Sequence, residues 1–213
     1  MILRRALPLL LATPATALVP VSAARAQGRS IPPREAYRWR VIRQGSAIGT
    51  HNVTFTQRGE EVVALSDVSI TPTILGVVVY RYEHRYSEVT RGGRFVSVAS
   101  RLNRNGTIVE VEARAGANGV EVQGPEGALR LPSGAVPLSW WEPGRFGGQT
   151  PLFGTSTGKP FELRWSREAL PGGGTRWRTA GEIEAVLDYD AAERWVGYSV
   201  RGDDGVTVSY APA

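Results

Sequence analysis

From Tyr37 to the C-terminus, apolar side chains recur at every second position. In YRWRV, Tyr37, Trp39 and Val41 alternate with Arg38 and Arg40; in THNVTFT, His51, Val53 and Phe55 alternate with Asn52, Thr54 and Thr56. A period of two sends successive side chains to opposite faces, the pattern of a half-buried strand. It returns in VVALSDVSI, VYRYEHRYSE, RFVSVASRL, IVEVEARA, GVEVQG, PFELRWS, TAGEIEAVLDY, RWVGYSV and VTVSY. Turn residues separate the runs: Arg58-Gly59, Gly92-Gly93, Asn105-Gly106, Asn118-Gly119, Gly172-Gly173-Gly174 and Asp204-Gly205. Turns at intervals of about 8–12 residues predict an antiparallel meander. Asn105-Gly106 is the sharpest signal, because a two-residue type I′ turn needs positive φ at both central positions. It predicts a hairpin pairing Phe95–Leu102 with Ile108–Arg114.

The expected fold is therefore all-β: a single strongly curved antiparallel sheet or partial β-barrel built of successive hairpins, forming one domain over residues 37–213. Its inner face is expected to carry residues such as Tyr37, Trp39, Val53, Tyr80, Tyr82 and Leu187. The stretch from Leu131 to Pro160 departs from the pattern, with five prolines, several glycines and the pair Trp140-Trp141. It predicts a long crossing loop with at most a short helical turn, and loops of that length in small domains usually carry function.

Residues 1–26 read differently. Arg4 and Arg5 precede an apolar run without acids, and Ala24-Arg25-Ala26 offers small residues where a signal peptidase reads, so a signal peptide cut before Gln27 is expected. Pro8, Pro14 and Pro20 disfavour a spanning anchor. The arginine pair partly resembles a twin-arginine signal but lacks the Phe-Leu-Lys continuation, which makes Sec the expected route. Residues 27–36 are polar and proline-containing, a flexible segment before the first strand. The expected location is the periplasm, with no stable membrane anchor after cleavage.

Losing the leader removes Arg4, Arg5 and Arg25 and no acid, which lowers the formal charge from +5 to +2. No run of Lys or Arg remains for a nucleic-acid surface. The chain has no cysteine, which excludes disulfides, thiolate metal sites and a cysteine nucleophile.

Several pieces together resemble a family of uncharacterised secreted bacterial proteins, the domain-of-unknown-function family 6134, similar in style to family 3108. They are YRWRVIRQGSAIGTHNVTFT with an Ile48-Gly49-Thr50-His51 turn, VVVYRYEHRYSE, SRLNRNGTIVEV, the LSWWEP box and LDYDAAERWVGYSVRGDDGVTVSY. The resemblance implies a sheet similar to the curved half-barrels of periplasmic lipoprotein carriers. It brings no functional residues, and fold likeness alone does not transfer function.

The candidate chemistry centres on VYRYEHRYSE. As a strand it puts Tyr80, Tyr82, His84, Tyr86 and Glu88 on one face, with Arg81, Glu83 and Arg85 forming ion pairs on the other. His84 and Glu88, with His51 from a neighbouring strand, are the candidates for proton transfer. Residues i and i+4 on a strand lie about 13 Å apart, so His84 and Glu88 cannot share a metal ion; neither a metal nor a cofactor is expected. The alternative is that both histidines are core or rim groups whose ring nitrogens bond tyrosine hydroxyls or backbone. Tyr80, Tyr82, His84, Tyr86, Trp140 and Trp141 are the candidates for ligand contact. Of the two tryptophans, one should plug the sheet and the other stand free, because neighbours on extended backbone face opposite ways. Trp39, Trp165, Trp177 and Trp195 read as core.

Other motifs fail. Gly154–Lys159 lacks the spacing of a phosphate loop, and Asp188, Asp190, Asp203 and Asp204 lack EF-hand spacing. The reading favours non-catalytic binding of an apolar or amphipathic small molecule or an envelope partner. An enzyme using His51, His84 and Glu88 remains open, as does a structural or interaction module without a cavity.

Overall fold

The computed structural model describes residues 36–202 and 204–213, with Ile74 described through its backbone alone. The expected leader, residues 1–26, lies outside the described residues. The chain runs through β1 (Ala36–Arg43), β2 (Ser46–Arg58), β3 (Glu61–Ile70), β4 (Thr73–Ile74), β5 (Val77–Val78), β6 (Tyr82–Arg91), β7 (Arg94–Arg104), β8 (Thr107–Gly116), β9 (Gly119–Gly124) and β10 (Gly127–Leu131). After β11 (Val136–Pro137), one 3₁₀ turn at Pro143–Arg145 and β12 (Leu152–Phe153), it continues through β13 (Leu163–Ala169), β14 (Thr175–Gly181), β15 (Ala185–Tyr189), β16 (Trp195–Arg201) and β17 (Thr207–Pro212).

Thirteen of these strands form one open antiparallel sheet, in the order β10-β9-β8-β7-β6-β3-β2-β1-β17-β16-β15-β14-β13. β1 and β17, the first and last strands, pair within it, so a meander of eight strands spreads to one side of that seam and one of five to the other. Residues 132–162 run from one edge strand to the other. Their apolar side chains, among them Leu138, Trp141, Phe146 and Phe153, are buried in the same core as Tyr37, Tyr86 and Leu187. The crossing loop thus fills part of the concave face and supplies the cover that an open, strongly curved sheet needs.

Local chemistry explains the register. The expected hairpin forms, with Leu102 opposite Val109, and its turn has φ +52° at Asn105 and +91° at Gly106. The Ile48–His51 stretch is not a turn: it lies within β2, where Gly49 pairs with Ile70. A Cβ on Gly49 would sit 2.1 Å from the Ser69 carbonyl oxygen, so this glycine marks a close backbone approach. Strand β6 begins at Tyr82, later than the alternation suggested, because Thr71–Arg81 holds the separate hairpin β4–β5.

On the outer face, Arg85 pairs with Asp67 and Arg101 with Glu110, while Arg81, just ahead of β6, pairs with Glu83. Asp188 and Asp190 hold Arg176 and Arg194, and Asp204 holds Arg43; these acids are ion-pair partners.

Candidate functional site

Pairing aligns the inner-face residues in rows across the sheet. One row reads Trp39, His51, Val68, His84, Leu102. The next reads Tyr37, Val53, Ser66, Tyr86, Ser100, and a third carries Phe55, Ala64, Glu88 and Val98. Two histidines, two serines, two tyrosines and a carboxylate therefore share one buried face.

The proton-transfer candidates are not assembled into one constellation. His51 and His84 are separated by β3, with Val68 between them, so they do not meet across a strand pair. Each has its own serine instead: His51 Nε2 lies 2.8 Å from Ser66 Oγ, and His84 Nε2 lies 2.9 Å from Ser100 Oγ. Burial, reinforced by the charge of His84, lowers the His51 pKa to about 3; burial lowers that of His84 to about 4 against a hydrogen bond with the Thr155 backbone. Both imidazoles are neutral at pH 7.

Glu88 is occupied. Ser139 Oγ donates to it at 2.6 Å and Arg145 Nη2 at 2.5 Å, while Arg145 Nη1 donates to the Pro137 carbonyl at 3.0 Å. The carboxylate thus anchors the crossing segment to the sheet. Tyr86 completes the seam, its hydroxyl meeting both Ser66 and Ser139 and its ring stacking on Trp141 at 5.8 Å. Burial, then the Glu88 charge, raises its pKa.

Trp141 is the expected plug, fully buried against Phe55 and Tyr86. Trp140 does not stand free: it packs on Tyr198 and Phe146, and its carbonyl accepts the Tyr189 hydroxyl at 2.5 Å. The 3₁₀ turn at Pro143 bends the chain so that both rings find the core. Tyr80 lies outside β6 and is only half-buried.

The sequence did not single out the opposite wall. Tyr198 and Tyr210, from β16 and β17, lie near enough to Tyr82 and Tyr86 of β6 to add to the rise that burial causes in their pKa values. The Tyr82 phenol is pushed up to about 12, by burial first and against the charge of Arg104, whose guanidinium lies 5.6 Å from its ring centre. Trp195 packs on Trp39 at 4.9 Å and on His51 at 5.6 Å, and His51 meets Tyr210 at 5.5 Å. A bowl of aromatic rings results toward one end of the sheet. Among the described residues, no ring contact or hydrogen bond from residues 132–162 reaches Trp39, His51, Tyr82 or Tyr210.

Two buried polar atoms in this bowl have no hydrogen-bond partner among the described residues: Trp39 Nε1 and His51 Nδ1. They belong to residues paired directly across β1 and β2, each only 3% exposed. Buried polar atoms are nearly always satisfied, so two orphans side by side are notable. Among the described residues no cluster of three metal-ligating side chains exists.

The family described as Domain of unknown function (DUF6134) matches residues 39–213, and the chain belongs to it. No curated protein matches the sequence. The fold is similar to the crystal structure of a beta-barrel-like protein of the domain of unknown function DUF1849 from Brucella abortus, with TM-score 0.56, 8% identity, and coverage of 84% of this chain and 94% of that one. A DUF1089 family protein from Pseudomonas aeruginosa matches with TM-score 0.43 and 13% identity, over 78% of this chain and 90% of its own.

Proposed function

We propose that this member of the DUF6134 family binds an amphipathic small molecule, without transforming it, in the aromatic bowl around Trp39 and His51. The orphaned pair, Trp39 Nε1 and His51 Nδ1, carries the reading. An indole N–H only donates, and a neutral imidazole either donates or accepts at its second nitrogen. A ligand oxygen placed between them satisfies both. Because both groups are neutral, an ionised head would be buried without a counter-charge at high cost, so the polar end is an uncharged hydroxyl, ester or amide. The apolar body rests on Trp195, Tyr198 and Tyr210, the usual lining of such sites.

A proton-transfer enzyme fits less well. A general base works best with a pKa near the operating pH, whereas His51 and His84 are held near 3 and 4 and Glu88 is bound to Arg145 and Ser139. A wide carrier cavity fits less well too, since residues 132–162 occupy much of the concave face. The ligand is therefore slender. As part of the same proposal the protein acts in the periplasm, on the strength of the leader in residues 1–26.

The test is native mass spectrometry of protein isolated from the cells that make it, followed by solvent extraction and by titration with a twelve-carbon monoacylglycerol read by tryptophan emission. A stoichiometric neutral amphiphile, or saturable quenching, supports the reading. A bare sequence mass together with an unresponsive spectrum overturns it.

A further inference from the structure

The hairpin β4–β5 is the most apolar exposed feature among the described residues. Leu75 is 99% exposed, Val77 65%, Val78 46% and Val79 53%, and the run from Ile70 to Tyr80, ITPTILGVVVY, holds no charge. Its turn residues have φ +50° at Leu75 and +81° at Gly76. That is the backbone of the Asn105-Gly106 turn, at +52° and +91°, and of Gln44-Gly45, at +49° and +78°. All three turns lie at the same end of the sheet, and Arg81 bonds Asn105 through both its N–H and its carbonyl. At positive φ, polar residues such as Asn are favoured and Leu is strained. Leu75 is thus strained in backbone and bare to water at once. Neither turn chemistry nor the core accounts for it.

We infer that this hairpin inserts into a lipid surface. Hydrocarbon accepts a backbone only when its polar groups are satisfied internally. This tip meets the condition in part: Ile74 and Val77 exchange ladder bonds, the Val79 N–H donates to the Pro72 carbonyl at 3.1 Å and Pro72 has no N–H to satisfy, while the outward groups of the Thr73–Val78 pair require the hydrated interface and limit the insertion to that depth. Two or three residues of strand reach about 7–10 Å, the depth of an interfacial element. Behind the apolar tip stand Tyr80, Arg81 and Arg104, an aromatic ring and two guanidiniums suited to the headgroup layer. Ile108, beside the neighbouring turn, is also exposed. A protruding knob without charge or side-chain hydrogen-bonding groups at its tip gives a protein partner little to recognise beyond a matching pocket, whereas a lipid surface needs no complement. The inference does not depend on a ligand in the bowl.

The chain has no cysteine, so a single introduced thiol labels cleanly. An environment-sensitive fluorophore on Leu75→Cys should brighten and shift to the blue with vesicles of phosphatidylethanolamine and phosphatidylglycerol, while the same label on Glu60→Cys, at the opposite end of the sheet, stays unchanged. In vesicle flotation, Leu75→Asn in the same full-length background should lower partitioning by about tenfold or more, the weight of one buried leucine. Its thermal midpoint should hold or rise, since Asn suits the turn. An unchanged label at position 75, or equal flotation of Leu75→Asn, overturns the inference. A concentration-dependent dimer abolished by Leu75→Asn without vesicle binding overturns it in favour of a second copy of the chain.

Discussion

Arg145 and Glu88 form a buried ion pair, with Nη2 2.5 Å from Oε1, that joins the crossing segment to the middle of β6. Burial acts to lower the Arg145 pKa, and the charges of Glu88 and Glu142 together with the hydrogen bond to Glu88 more than offset this, leaving the guanidinium firmly protonated. Removing one partner of such a pair strands the other in a dry site, at about 3–5 kcal/mol. Arg145→Met and Glu88→Gln should each lower stability by that order in urea unfolding. The double change Glu88→Leu with Arg145→Met should recover much of the loss, because no charge is left buried.

The same segment is held by Trp141, which is enclosed by Phe55 and Tyr86. Truncating a buried aromatic costs about 3–5 kcal/mol. Trp141→Ala should fall in that range and Trp140→Ala, half-buried, well below it; equal losses would refute the distinction between plug and flank. Circular dichroism melts are sufficient.

Acid should weaken the fold through the two histidines. Their folded pKa values, about 3 and about 4, lie below the ordinary value of 6.5, so between these limits the unfolded chain binds more protons than the folded one. Stability then rises with pH through that window and falls as pH drops from about 6.5, with a slope approaching about 1.4 kcal/mol per pH unit for each histidine. Urea midpoints at pH 7, 6 and 5 should show the decline. His51→Gln and His84→Gln should each flatten it; an unchanged slope in both would mean that the histidines are not the groups responsible.

Gly49 should not tolerate a methyl group. The Cβ of Gly49→Ala would meet the Ser69 carbonyl oxygen at 2.1 Å, which forces β2 and β3 apart beside His51. A loss of about 1–3 kcal/mol is expected, as for overpacked sites. Hydrogen exchange should show it as reduced protection where β2 and β3 pair around Gly49 and Ile70.

What was legible in the sequence is what repeats locally. Alternation gave the strands, and Asn105-Gly106 gave a hairpin whose register is the expected one. The β4–β5 hairpin escaped notice because Val78 and Tyr80 continue the alternation of Tyr82, His84 and Tyr86 in β6, and because Leu75 is not a residue that announces a positive φ. Glu88 was visible as an inward carboxylate, but its partners Ser139 and Arg145 lie more than 50 residues away, in a segment without periodicity. The separation of His51 from His84 depends on strand order, which alternation does not encode. Tyr198 and Tyr210 face Tyr82 and Tyr86 only because the sheet curls, a property of thirteen strands together.

The bowl yields the sharpest prediction, because its two orphans make opposite demands on stability and on binding. Trp39→Phe removes the unpartnered Nε1–H while keeping an aromatic ring beside Trp195 and Tyr37. An unsatisfied buried donor costs about 1–3 kcal/mol, and its removal offsets much of the packing lost with the smaller ring, so ligand-free stability should change by no more than about 1 kcal/mol. Affinity for the monoacylglycerol should instead fall about tenfold, since the hydrogen bond that satisfied the indole is gone. Trp177→Phe, at the far edge of the sheet beside Phe146 and Trp165, serves as the control and should leave binding unchanged. A Trp39→Phe protein that is more stable and binds equally well would mean that the orphaned nitrogen is only a flaw in the packing, and the ligand reading would lose its principal support.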